Sequence, residues 1–169
     1  MFGHTEGLRL ALNLNGDRLI RLPAEDSAAN YLAGFWRWIE LMAADDYQGA
    51  LEALHWPKGT AFTPAKLKER VTTFYGGDKP WSVVVPNDRL VGVINDAAEF
   101  QPRNREGWGW FLAQVPVTTE PADPKNDTIP LMGVAASFFV REQAGQYVLE
   151  FEIFHLCPQA LRSRTRRCT

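Results

Sequence analysis

The chain has little cysteine: Cys157 and Cys168 are the only two in 169 residues. Two thiols cannot build a disulfide framework, so the fold must be held by a packed core. Histidine is also scarce. His4, His55 and His155 lie far apart, and with the two cysteines they make no local set of the three or four ligands expected for zinc. No charged segment followed by an apolar run opens the chain. The first apolar stretch, "LRLALNLNGDRLIRL", carries arginine near both ends and an Asn-Gly break, which no bilayer-spanning helix would tolerate. An excess of positive charge is missing too. Eighteen Lys and Arg against twenty Asp and Glu give a formal net charge of -2, so there is no global attraction to nucleic acid or anionic lipid. A glycine-rich phosphate loop, a helix-borne HExxH and an internal repeat are all lacking. The expectation is a cytoplasmic chain with no cofactor, no metal, no nucleic-acid partner and no membrane partner.

What is plentiful is apolar and aromatic surface. Hydrophobic residues make up 46% of the chain, with six Trp, ten Phe and four Tyr, enough for one domain over residues 1–169 with a true core. Residues 1–23 read as an N-terminal hairpin extension. Leu8, Leu10, Leu12 and Leu14 repeat every second residue, and Asn15-Gly16 marks a turn. A three-residue loop of Asn15, Gly16 and Asp17 pairs Leu12 with Ile20 and Leu10 with Leu22, which keeps both apolar faces together. At the other end, 159–169 includes "RSRTRRC" and reads as a flexible basic tail.

Three helices follow the hairpin. The first opens at Asp26 or Ser27 and carries Leu32, Phe35, Trp36, Ile39 and Met42 on or near one stripe. The second runs from Asp46 to about Leu54 and stops before Pro57 and Gly59. The third has Thr63 as its cap, Pro64 in its first position and Leu67, Val71 and Phe74 along one side. From Trp81 the pattern turns to strands: "WSVVV", "RLVGVI", a short "AEFQP" and "WGWFLAQVPV". The polar "TTEPADPKNDTIP" is either a connection or a lid. "LMGVAASFFVRE" and "QYVLEFEIFHL" then form a long hairpin around Ala144-Gly145. In it Val140 faces Leu149, Phe138 faces Phe151 and Ala136 faces Ile153, with Glu150 and Glu152 on the other side.

Helices first, then an antiparallel meander with two long final strands, make an α+β architecture. On "FWRWIELMAADDYQGALEAL", "TPAKLKERV" and "SFFVREQAGQYVLEFEIFH", the chain resembles the NTF2-like, or cystatin-like, superfamily from about Ser27 to Leu156. The resemblance implies three helices packed on a curved antiparallel sheet in a cone, with a pocket between them for a small apolar molecule. It also suggests a defence or toxin-neutralising role, as in an immunity protein. The framework hosts isomerases, dehydratases and non-enzymatic binders alike, so it selects no chemistry.

Several side chains carry candidate chemistry. His155 and Cys157, two apart, suit neither a nucleophile with its base nor a metal site, because same-face neighbours on a strand stand roughly 6–7 Å apart. They read as the end of a core strand, with His155 left as a polar group of the pocket. In the same pocket Phe35, Trp36, Trp110, Phe138 and Phe151 are candidate ligand-binding residues. Asp45 and Asp46 beside Tyr47 could sit at a cavity mouth, although caps and core packing are the preferred roles. The expectation is a non-catalytic binding or protein-interaction module, with a protein or a small apolar molecule as partner and self-association into a homodimer as a secondary property. The enzyme alternative is a cofactor-independent isomerase or dehydratase in which His155 moves a proton and Tyr47 or Tyr75 steadies developing negative charge.

Overall fold

The computed structural model describes residues 18–60, 62–74, 76, 80–119 and 132–156. The first hairpin arm, Tyr75, most of the proline-rich loop, Cys157 and the basic tail lie outside the described residues. Along the chain come β1 (Arg21–Leu22), α1 (Ala28–Ala43), α2 (Tyr47–Glu52), α3 (Pro64–Thr72), β2 (Ser82–Val83), α4 (Asp88–Ala97), β3 (Glu99–Gln101), β4 (Gly109–Thr118), β5 (Met132–Gln143) and β6 (Gln146–Leu156). The strands pair antiparallel in the order β1-β6-β5-β4-β2, and β3 joins β4 on the edge it shares with β2.

This sheet is open, and it does not curl into a cone. The cone-shaped, NTF2-like arrangement is therefore corrected to an open α+β fold. A second correction concerns "RLVGVI", which is not a strand but the body of α4. Asn87 caps that helix by accepting a hydrogen bond from the Leu90 N–H. Leu90 and Ile94, four residues apart, then turn to one side and meet Val84 and Trp36. A cap followed by an i,i+4 apolar pair outweighs the β propensity of the valines. The described residues thus hold four helices rather than three.

The first three helices start where their caps predict. Ser27 caps α1, Asp46 caps α2 and Thr63 caps α3, each accepting from a backbone N–H three residues on. The buried stripe of α1 is Tyr31, Gly34, Phe35, Trp38, Ile39 and Met42, with Leu32 and Trp36 on its flanks. Gly34 sets this phase. A Cβ there would stand 2.8 Å from Leu22 Cδ2 and 3.2 Å from Leu149 Cδ1, so glycine lets the helix settle onto β1 and β6.

Phe35 and Trp38 of α1 pack on Phe111, Phe138 and Phe151 of the sheet, with ring centroids 5.3–6.3 Å apart. All but Phe151 have no accessible surface. The space between helices and sheet, where an apolar ligand was expected, is filled by these rings.

The β5–β6 hairpin turns through Ala144 and Gly145, both at positive φ (51° and 79°), as a tight two-residue loop requires. Val140 pairs with Leu149 and Phe138 with Phe151, as the sequence predicts. Between Phe138 and Ser137 the register shifts, because Glu152 is an extra residue on β6. Beyond it Ile153 pairs with Ser137, Phe154 with Ala136 and His155 with Ala135. Ala136 therefore faces Phe154 and not Ile153, and the parity of the strand's end is reversed.

Candidate functional site

The reversal decides where His155 points. Phe154 takes the inner face and stacks on Trp38 at 6.3 Å, while Ile153 and His155 turn to the outer face, away from the helices. There His155 joins side chains from three strands. Its Nε2 lies 2.8 Å from Ser137 Oγ, Ser137 Oγ lies 2.8 Å from Glu152 Oε2, and Trp110 Nε1 donates to the same Glu152 oxygen at 2.9 Å. A carboxylate only accepts, so the single Ser137 hydroxyl proton goes to Glu152. His155 then donates from Nε2 to Ser137 Oγ.

That order differs from a nucleophilic triad. There the histidine accepts the serine proton and an acid orients the histidine's other nitrogen. Here the acid holds the serine itself, His155 Nε2 carries a proton toward Ser137, and Ser137 is fully buried. The cluster fixes an imidazole, an indole and a carboxylate on a rigid sheet face. Its members were partly visible in sequence: Trp110 and His155 stood among the candidates, whereas Ser137 escaped notice because only the bulge brings it to His155.

Beside the cluster, Phe139 pairs with Trp110 across β4 and β5. Trp108 packs edge-on against Phe139 at 5.6 Å and donates its indole N–H to Glu106 Oε2 at 3.1 Å. Arg141 lies over Phe139 at 5.5 Å and binds Glu150, whose other oxygen is 2.8 Å from His55 Nδ1.

Tyr47 is elsewhere. It sits at the start of α2, in the wall of a shallow depression formed by α1, α3 and β2 on the helical side of the sheet. The structure does not bring Tyr47 and His155 together, and Tyr75 lies outside the described residues. Of the candidate ligand-binding residues, Phe35, Phe138 and Phe151 are inner-core rings, and Trp36 donates its N–H to Asn95 Oδ1 at 2.7 Å beside α4. Trp110 and His155 share the outer face. Asp46 is the cap of α2, the preferred sequence reading.

Two phenols are held neutral by their surroundings. Burial, then the nearby Asp45 carboxylate, pushes Tyr47 up to about 12 from the usual 10. Tyr31 is raised as well, first by burial and then by the hydrogen bond its hydroxyl donates to Asp26. Both folded values exceed the unfolded one, so this stabilisation is complete below pH 10 and is lost as pH climbs through the folded values. Urea unfolding from pH 8 to 11.5 should show stability falling above pH 10. Tyr47→Phe should remove its part of the fall, at most about 2–3 kcal/mol. An unchanged alkaline profile in that variant would contradict the assignment.

Among the described residues no helix is long and apolar enough to cross a membrane, and no group of three or more His, Cys, Asp or Glu could hold a metal ion. Comparison of the chain with models of protein families, with curated proteins and with solved structures finds no match. Together with the open sheet, this corrects the NTF2-like resemblance, and the immunity-protein context that rested on it falls too.

Proposed function

We propose that this chain is a non-catalytic interaction module that presents the outer face of its sheet to a protein partner. The observation that carries the reading is the exposure of Ile153 and Trp108, 51% and 38%, on the face that also bears Trp110 and Phe139. Large apolar side chains gathered in water on one rigid face are a feature of interaction surfaces, and tryptophan is a favoured anchor. Glu106 and Glu152 hold the two indole N–H groups, so negative charge stands beside each ring. A phosphate backbone would be repelled there. An apolar protein patch rimmed by Arg or Lys is the complementary partner. The non-catalytic part is supported by the Ser137–Glu152 bond, which engages the hydroxyl proton that a nucleophile would give to His155, and by the separation of His155 from Tyr47.

A benzophenone amino acid placed at position 153 tests this in cells producing the chain, with position 40 on the exposed side of α1 as the control. Crosslinking at 153 should yield one discrete protein adduct that is absent at 40. That protein, purified, should bind the wild-type chain and lose about 30-fold in affinity toward a Trp108→Ala/Ile153→Glu double variant. Equal adducts from both positions, or undiminished binding to the double variant, would reject the proposal.

A further inference from the structure

The depression on the helical side is a second place where the chain has the makings of a binding site. It encloses about 320 Å³, at the small end of the ligand-pocket range of about 300–1,000 Å³. Met42, Val83 and Trp81 give it apolar walls, and Tyr47, Lys68 and Asp45 add the polar side. Lys68 Nζ stands 2.7 Å from Asp45 Oδ1 and 5.6 Å from the centre of the Tyr47 ring. The ion pair is half open to water, with Lys68 51% and Asp45 71% exposed, so both charges remain reachable. Asp45 holds a left-handed backbone (φ 60°), uncommon outside glycine, at the turn between α1 and α2.

A ligand with one charge fits this depression badly. An anion drawn to Lys68 meets Asp45, a cation drawn to Asp45 meets Lys68, and either must loosen the existing pair. A small zwitterion avoids both conflicts. Its carboxylate lies against Lys68 and its ammonium against Asp45, so the four charges alternate in sign. The volume left beyond the charges is walled by apolar groups and suits one hydrophobic side chain. We propose that the depression is a binding site for a free apolar α-amino acid of about leucine to phenylalanine size. A peptide terminus presents only one of the two charges, which separates it from the free amino acid.

The test is a titration of the isotope-labelled full chain with L-leucine and L-phenylalanine at millimolar concentration, followed by amide and indole shifts. Signals of Trp81, Ser82, Val83 and Thr72 should move, and those of Trp108 and Ile153 should not. N-acetyl-L-phenylalanine and L-phenylalaninamide should each bind about five-fold more weakly than the zwitterion, as should L-phenylalanine to Lys68→Met. Asp45→Asn keeps a residue that tolerates the left-handed backbone. In that variant the acetylated anion should bind better than it does to the wild type, a gain that a loss of folding cannot produce. Equal binding of capped and uncapped ligands, shifts confined to the outer face, or none at all would overturn the proposal. None of these outcomes bears on the protein-partner reading, which rests on the other side of the sheet.

Discussion

Trp38→Ala is expected to lower the unfolding free energy by about 3–5 kcal/mol, the largest effect of any single truncation considered. Trp38 has no accessible surface and sits within the aromatic interior, with the rings of Phe35, Phe138, Phe151 and Phe154 at 5.3–6.3 Å. Alanine would leave a cavity among rings carried by α1, β5 and β6, elements too firmly tied to close it. A domain stability of about 5–15 kcal/mol makes this a large part of the whole. Trp38→Phe should behave differently. The indole Nε1 is buried with no hydrogen-bond partner among the described residues, so the native residue already bears the cost of an unmet donor. Phenylalanine removes that donor along with some packing, and its net cost should stay below about 2 kcal/mol. Urea midpoints of the two variants decide the matter. A Trp38→Ala cost near that of Trp38→Phe would show that the interior is not packed around this ring.

Arg103→Ala is the second large effect, with an expected loss of about 3 kcal/mol. The Arg103 side chain is 12% exposed, in the loop between β3 and β4, and it joins parts of the chain far apart in sequence. Its guanidinium carbon lies 3.4 Å from the centre of the Tyr147 ring, Nη2 donates to the Ala24 carbonyl at 2.6 Å, and Nε is 3.5 Å from Asp26 Oδ1. Asp26 also accepts from the Arg103 backbone N–H at 2.7 Å and from the Tyr31 hydroxyl. Removing the guanidinium leaves a carboxylate facing a phenol that cannot neutralise it, and it uncovers Tyr147. Arg103→Lys should recover only part of the loss, because an ammonium cannot lie flat on the ring and hold two oxygens at once. Full recovery with lysine would mean that charge alone matters. Thermal unfolding of both variants separates the two cases.

Much of this architecture could be read from the sequence wherever a local rule was strong. Ser27, Asp46 and Thr63 announced their helices because a side-chain oxygen before an apolar repeat satisfies a free backbone N–H. The first half of the β5–β6 pairing followed from alternation and a two-residue turn. Legibility failed where a tertiary contact competed with a local preference. "RLVGVI" carries β-branched residues, but Asn87 and the Leu90–Ile94 pair made it helical once Trp36 and Val84 offered a surface. Trp38 was missed because Gly34 sits in the middle of its stripe and adds no apolar weight to the pattern. The outer-face cluster could not be foreseen, since His155 reaches Ser137 only through a shift of pairing that alternation does not encode. The cone, and the ligand space inside it, came from element order, which does not specify how far a sheet curves or how fully its interior is filled.

The extra residue at Glu152 acts on the end of β6 as an inserted letter acts on a reading frame. Every side chain downstream exchanges places with its neighbour, so the face that meets Trp38 and the face that meets water are set by chain length and not only by residue type. A substitution at 152 removes a carboxylate yet leaves the frame intact. A deletion there would take out the bulge and leave plain alternation, with Phe154 still inward and Ile153 and His155 still outward, but without the carboxylate that holds Trp110 and Ser137. One further inserted residue, paired in the ladder, would send Phe154 outward and bring Ile153 and His155 in against the aromatic interior. Among related chains, a change of residue at this point or its loss is therefore compatible with the pairing, while the gain of one paired residue is not.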